Sequence, residues 1–449
     1  MKVKRSHAAQ QVSVTADGEG VATHAGTLLL AEVADRSGLS AALSAAMAHT
    51  RSRRSGHDPG RVLVQLAVML ASGGDCVADL AALRHQPELF GSVASGPTAW
   101  RVVQSMGFDA FVGLGRARAA ARRAAWDAGS APKEIVLDFD ASLVGAHSDK
   151  QEAAPNYKRG FGFNPLLCYL EETGEALAGM LRPGNAGAND AADHVELLDA
   201  ALEQLPVRPL GDDPVEGVAM LARSDSAGAS HGFLEALRSR GITFSVGFQL
   251  TAAVRDVVLA MPEDAWVPAI RQDGEERDGA AVCELVDLEL STWPSGTRAI
   301  CRRERPHPGA QLSFSDVDGH RFQVFITDQT DDDLAALEVR HRAHARVEDR
   351  IRAAKDTGLV GLPFSDYVAN EAWMQLILLA QDLLCWTQRL CFTGELARAE
   401  PRTFRFRVLH TAARIARSAR RVTLRLSRRW PWSVELSLAF RRLRVALPA

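Results

Sequence analysis

Residues 135–142 read Ile-Val-Leu-Asp-Phe-Asp-Ala-Ser. β-branched and aromatic residues favour an extended chain, and successive side chains of a strand point to opposite faces. The alternation puts Asp138, Asp140 and Ser142 on one face and Leu137, Phe139 and Ala141 on the other. Two acids on the same face of such a strand serve no packing purpose. Desolvating them is costly unless a cation or a partner meets them. The segment therefore anchors both a sheet and a candidate site.

The neighbouring segments extend the pattern. Residues 166–171 and 175–181 flank Thr173-Gly174 and read as a hairpin. Residues 189–205 read as a helix, 217–223 as a short apolar strand, 228–240 as a helix and 242–248 as a strand. About 75 residues of mixed strands and polar turns follow, closed by one long helix over 333–357. Five strands in the order β-β-β-α-β-α-β followed by a helix predict an α/β fold with a ribonuclease-H-like core. Here a β-rich insertion precedes the last helix. Upstream, apolar residues at three- and four-residue spacing make 26–128 helical. That pattern suits either a helix-turn-helix DNA-binding unit or a plain helical bundle.

Five regions are expected: a helical N-terminal domain for DNA binding or dimerisation (1–130), the first part of the core (131–249), the insertion (250–328), the completed core with its helix (329–395) and a basic helical C-terminal tail (396–449).

Length and composition set limits. At roughly 100–200 residues per domain, 449 residues allow two to four domains. With 47% hydrophobic residues, a largely disordered chain is excluded. The six cysteines, at 76, 168, 283, 301, 385 and 391, form no Cys-x-x-Cys pair. That argues against a zinc ribbon or a disulfide scaffold and fits a reducing compartment. The apolar run 62–71 contains Gln65 and is too short to span a bilayer. No apolar stretch follows the basic residues of MKVKRSHAAQQVSV, so no signal peptide is read. A soluble cytoplasmic protein is expected.

The net charge of −3 hides an asymmetry. From residue 398 onwards, 14 Arg stand against Glu400 and Glu435, a net +12, so the rest of the chain carries −15. A basic tail on an acidic body points to a polyanionic partner. Arg417, Arg420 and Arg421 are its central candidates for DNA backbone contact.

Two further acids join the pair on the first strand. Asp225 falls just past the carboxyl end of an apolar strand, the edge where α/β sheets place ligands. On the long helix, His341, His344, Glu348, Arg352 and Lys355 fall on one stripe. Taken alone, Asp225 is a turn former and the stripe a solvated face. Taken together, acids from two strands and a helix converge and can hold two divalent metals, Mg²⁺ or Mn²⁺. Such a pair stabilises the attacking and leaving oxygens of an in-line phosphoryl displacement.

LDFDAS, RSDSAG and the helix motif ending in Glu348-x6-Lys355 resemble the signatures of DDE transposases of bacterial insertion sequences. More narrowly, the chain resembles the thirteen-eighty family, within the group related to insertion sequence four. NYKRGFGFNPLLCYL, RPGNAGAND and NEAWMQLILLAQDLLCWTQRL extend the resemblance over nearly the whole chain. It implies a transposase that binds the terminal inverted repeats of its element, pairs them as a homodimer on double-stranded DNA, and cleaves and joins strands. The family's first acid stands in an Asp-x-Thr setting, matched by Asp140-Ala141-Ser142, with Asp138 as rival; Asp225 and Glu348 match the second and third. Lys355 matches a phosphate-positioning lysine. His341 and His344 stand where the family has Tyr and Arg, so they take the places of phosphate contacts.

Tyr157, Lys158 and Arg159, before a Gly-Phe-Gly turn, are further candidates for DNA contact, and Arg352 lies on the helix stripe. The resemblance also implies an aromatic in the insertion, Trp266 or Trp293, that stacks on an extruded base. His231 is a candidate neighbour of Asp225. Two alternatives stay open: a decayed or domesticated transposase that only binds DNA, and another ribonuclease-H-like nuclease.

Overall fold

The structure, a computed structural model, describes residues 14–51, 56–147, 149–213, 215–306, 309, 316–317, 319–418 and 421–448. Helices α1 (Leu28–Arg36), α2 (Leu39–Ala46), α3 (Pro59–Ala71), α4 (Gly96–Gln104) and α5 (Phe108–Ala125) form the N-terminal part. Local chemistry sets their starts. Asp58 accepts the Arg61 amide with Pro59 at the first position of α3, and Ser95 accepts the Thr98 amide at the head of α4.

The sheet is built on β1 (Ile135–Ala141). On one side it pairs antiparallel with β2 (Leu166–Leu170), which pairs with β3 (Ala176–Met180). On the other it runs parallel to β4 (Met220–Ser224), and β4 runs parallel to β5 (Thr243–Phe248). The order 3-2-1-4-5 is the expected core. Helices α6 (Ala191–Glu203) and α7 (His231–Ser239) make the two crossovers and cover one face. Leu137 and Phe139 pack there with Leu197, Leu198, Phe233 and Leu234. Asp138 and Asp140 therefore point to the other face, as the alternation requires.

The insertion joins the core sheet. Its strands β6 (Val267–Ile270), β7 (Glu276–Glu284), β8 (Arg298–Glu304) and β9 (His320–Thr327) continue the same sheet, in the order 6-7-8-9-5. β9 docks antiparallel on β5, with Val324 opposite Phe248 and Thr327 opposite Ser245. The core's β5 edge is thereby paired rather than left open.

The expected single helix over 333–357 is broken in two. Asp333 caps α8 (Leu334–Arg342), a 3₁₀ turn spans Ala343–Arg346, and α9 (Val347–Ala354) follows. A wide turn, Lys355–Leu359, ends it, with Gly358 at φ +113°. Next comes α10 (Tyr367–Cys391), 25 residues long and buried along most of its length. Despite that length, no helix among the described residues is long and apolar enough to cross a membrane.

The C-terminal region departs most from expectation. It is not a basic helical tail. Ala413–Ser418 and Arg421–Leu426 form an antiparallel hairpin, and Val21–Ala22 adds a third strand to it. Its final helix, α11 (Ser433–Ala446), buries Leu436, Ala439 and Leu443 in one cluster with Leu29, Leu30 and Val33 of α1 and much of α10. Arg405 turns inwards and donates to the carbonyls of Ala71 (2.9 Å) and Leu70 (3.3 Å), which end α3. The two ends of the chain are thus packed into one body.

A buried ion network crosses that body. Asp382 of α10 accepts from Arg118 (2.9 Å) and Arg122 (2.8 Å) of α5, and from the Ala176 amide (3.0 Å) of β3. Glu175 accepts from Arg122 (3.0 Å) and from the indoles of Trp126 (3.1 Å) and Trp386 (2.7 Å). Two cations meet two anions, and the paired side chains are at most 3% exposed. The N-terminal helices, the core sheet and α10 are locked together at this point.

Candidate active site

β1 and β4 run parallel, with Asp138 opposite Arg223 and Phe139 opposite Ser224. Partners in register point to the same face. The first same-face rung is an ion pair. Arg223 donates from Nε to Asp138 Oδ1 and from Nη2 to Asp138 Oδ2, both at 2.8 Å. His344 Nδ1 lies 3.0 Å from the same Oδ1. Both carboxylate oxygens are used, and Asp138 is 1% exposed.

Two residues further along lie Asp140 and, just past the end of β4, Asp225. At this step the chain brings acid beside acid. Asp140 accepts the Ala141 amide at 2.7 Å. Asp225 accepts the Ala227 amide at 2.9 Å and so caps the turn Ser226–Gly228. The turn passes close to β5, where a Cβ on Gly247 would sit 2.9 Å from the Ser226 nitrogen and 3.1 Å from the Asp225 carbonyl carbon. Only glycine fits there. Glu348 lies in the first turn of α9, just after the 3₁₀ turn that carries His344, and both act on Asp140.

Asp140 feels the other two acids. Asp140 is pushed up to about 6, chiefly by burial, with Asp225 and Glu348 raising it further and His344 opposing. Among the described residues, none of the three has a salt-bridge partner. The rung Asp138–Arg223 is neutralised; Asp140, which Asp225 lies near enough to raise, is not. All the donors are oxygen atoms, a set that suits a hard divalent cation. Among the described residues, the group of three such side chains whose ligand atoms all lie within 4.8 Å of one another is Asp75, Cys76 and Asp79, not the three acids. That cluster is turn chemistry: Asp79 Oδ2 accepts the Asp75 and Cys76 amides and the Cys76 thiol.

The other expected site residues divide by exposure. Lys355 is half-buried, about two turns beyond Glu348. Arg352 is exposed and paired with Asp349 at 2.6 Å. His341 and His344, expected as phosphate contacts, turn inwards instead. The His341 ring stacks on Phe325 at 4.3 Å, and its Nδ1 meets Ser245 Oγ at 3.0 Å. Burial, with help from His344 and Arg223, holds it down to about 3, so it is neutral at physiological pH.

Tyr157, Lys158 and Arg159 form an exposed tip between the short strands Ala154–Pro155 and Phe161–Phe163, held by Asn156 Oδ1 on the Lys158 and Gly160 amides. Arg417 pairs with Glu88 at 2.9 Å, Arg421 is exposed, and Arg420 lies outside the described residues. Trp293 stacks on His231 at 4.1 Å, on the helix that follows Asp225, whereas Trp266 lies under the Arg303 guanidinium at 4.4 Å. The residue missed from sequence is Arg223. Its signal was a base two positions before Asp225, in the same alternation.

Asp140 has a pH consequence. Its folded value lies above the unfolded one, so its contribution to stability is full below about pH 4 and is lost as pH rises through about 6. Asp140→Asn cannot ionise. In chelator-containing buffer its melting temperature should rise above wild type between pH 4 and 7, and Mg²⁺ should close that gap by stabilising wild type alone. A gap that stays constant with pH would show that folding does not raise Asp140.

A family model described as the transposase DDE domain, group 1, matches residues 4–447. Among solved structures, the fold is similar to that of piggyBac transposase in a synaptic complex with hairpin DNA. The likeness has 12% identity and a TM-score of 0.40, over 95% of this chain and 81% of that one. No curated protein sequence matches the chain.

Proposed function

The chain belongs to the DDE transposase family, group 1, and from that premise we propose that it mobilises a bacterial insertion sequence of the thirteen-eighty kind. It binds the terminal inverted repeats of its element as a homodimer, hydrolyses a phosphodiester at each end and joins the freed 3′-hydroxyl to target DNA. The observation that carries this reading is the uncompensated acid Asp140, with Asp225 and Glu348 near enough to raise it, one step from a neutralised rung. Divalent cations held by these three acids would supply the positive charge that stabilises the attacking and leaving oxygens.

The remaining roles fall to half-buried Lys355 and to exposed groups. Lys355 holds a phosphate beside the acids. The Tyr157-Lys158-Arg159 tip and Arg352 grip the DNA backbone, which positions the duplex without reading its sequence. His341 and His344 have no DNA role in this scheme: His344 braces Asp138, and His341 packs beneath it. In a cell the protein works in the cytoplasm on nucleoid DNA.

Metal-dependent nicking of a duplex carrying the repeats that flank the gene tests the proposal. Duplex binding without nicking at any Mg²⁺ or Mn²⁺ concentration would leave a DNA-binding protein only. The two strand acids should separate in the same assay. Asp140→Asn should lose nicking and keep its fold. Asp138→Asn should destabilise the protein by about 2–3 kcal/mol, because Arg223 loses a charged hydrogen-bond partner. A stable, inactive Asp138→Asn beside an active Asp140→Asn would exchange the assignments.

A further inference from the structure

The hairpin 413–426 has two unlike faces. In its register Ala413 lies opposite Leu426, Arg414 opposite Arg425, Ala416 opposite Thr423 and Ser418 opposite Arg421. One face carries Ala413, Ile415, Val422, Leu424 and Leu426; its Ala413–Leu426 end turns towards the protein, where Ala413 is buried and Leu426 packs on the main core, while Val422 near the tip is exposed. The arginine on that face, Arg417, is neutralised by Glu88. The outward face carries Arg414, Arg421 and Arg425, with only Ala416, Ser418 and Thr423 between them.

Like charges directly opposite each other across a ladder are destabilising, yet Arg414 and Arg425 stand so, and both are exposed. Among the described residues no acid pairs with any of the three. Charges on an edge strand can protect a sheet from pairing with another chain. That does not account for Arg414, which sits on the middle strand between Val21–Ala22 and Arg421–Leu426. An anion from outside would relieve the repulsion.

We propose that this outward face is a docking surface for duplex DNA, with Arg414, Arg421 and Arg425 on backbone phosphates. The inference rests on the transposase reading and assigns that reading a contact element. Arg421 and Arg425 are four residues apart, about 13 Å along an extended strand. The major groove is roughly 12 Å wide and admits a two-stranded ribbon. Small side chains between the arginines let the backbone approach. The planar guanidinium pairs phosphate at two points, and the net +12 of the region supplies the matching charge.

The test uses the full chain and a labelled duplex of arbitrary sequence, with affinity measured across a salt series. The triple variant Arg414→Gln, Arg421→Gln, Arg425→Gln keeps side-chain length on an exposed face, and circular dichroism checks its fold. At about 0.9 per phosphate contact, the slope of log affinity against log salt should flatten by two to three units. Arg417→Gln, already neutralised in the wild type, should change it by well under one unit. An unchanged slope in a folded triple variant that still binds duplex overturns the docking surface and leaves the transposase reading standing. Capture of poly-glutamate by this face, with duplex binding unaltered, overturns it in favour of a protein partner. Wild-type protein that binds no duplex at low salt overturns the transposase reading itself.

Discussion

Glu348→Gln should slow metal-dependent strand cleavage by roughly a thousandfold and leave duplex affinity near wild type. A metal ion contributes several kcal/mol to the stabilisation of developing charge, and each 1.36 kcal/mol is tenfold in rate. The loss falls on the transition state rather than on docking. Glu348 is exposed in the first turn of α9 and has no salt-bridge partner among the described residues, so its replacement should cost little stability. Asp225→Asn should behave alike in cleavage. Single-turnover nicking beside a binding curve measures both. Wild-type cleavage by Glu348→Gln would remove that acid from the site.

Asp382→Ala should have the largest effect on stability. The substitution leaves Arg118 without its carboxylate, leaves Arg122 with Glu175 as its remaining carboxylate beside the neutral acceptors Gln204 and the Ala176 carbonyl, and strips the Ala176 amide of its acceptor. Removing one partner from a buried ion network costs about 3–5 kcal/mol, because the remaining charge stays desolvated. Urea unfolding should show the loss as a lower midpoint. A change below about 1 kcal/mol would mean that the guanidinium groups find other acceptors.

These two sites differ in how far the sequence exposes them. The core strands were legible because period-two alternation is local: 135–142 declares its own faces, and β1 to β5 follow in the expected order. The choice between Asp138 and Asp140 was not local. It depends on Arg223, which reaches Asp138 across a neighbouring strand. The insertion looked separate because periodicity marks a strand but not its pairing partner, and β9 docks on β5.

The tail misled through its charge. Ala-Arg-Ile-Ala-Arg and Arg-Val-Thr-Leu-Arg-Leu carry strand alternation, masked by an Arg count that suggested an exposed helix. On the segment 333–357, the stripe of His341 and His344 resembled a solvated face, and the 3₁₀ turn at Ala343–Arg346 that accompanies their inward packing has no local signal. Arg118, Arg122 and Asp382 were equally silent, since a charge on a helix ordinarily faces water.

The joining of α1 to α11 bears on how the protein is made. Arg36 donates to the Leu447 carbonyl across 411 positions, and Glu32 meets Arg444 at 3.1 Å. On a translating ribosome, Leu29, Leu30 and Val33 emerge early but gain their full cover only when Leu436, Ala439 and Leu443 arrive. Until then the nascent α1 shows an apolar stripe to chaperones and proteases. A transcript cut short before residue 433 would therefore yield degradation substrate rather than a partial enzyme.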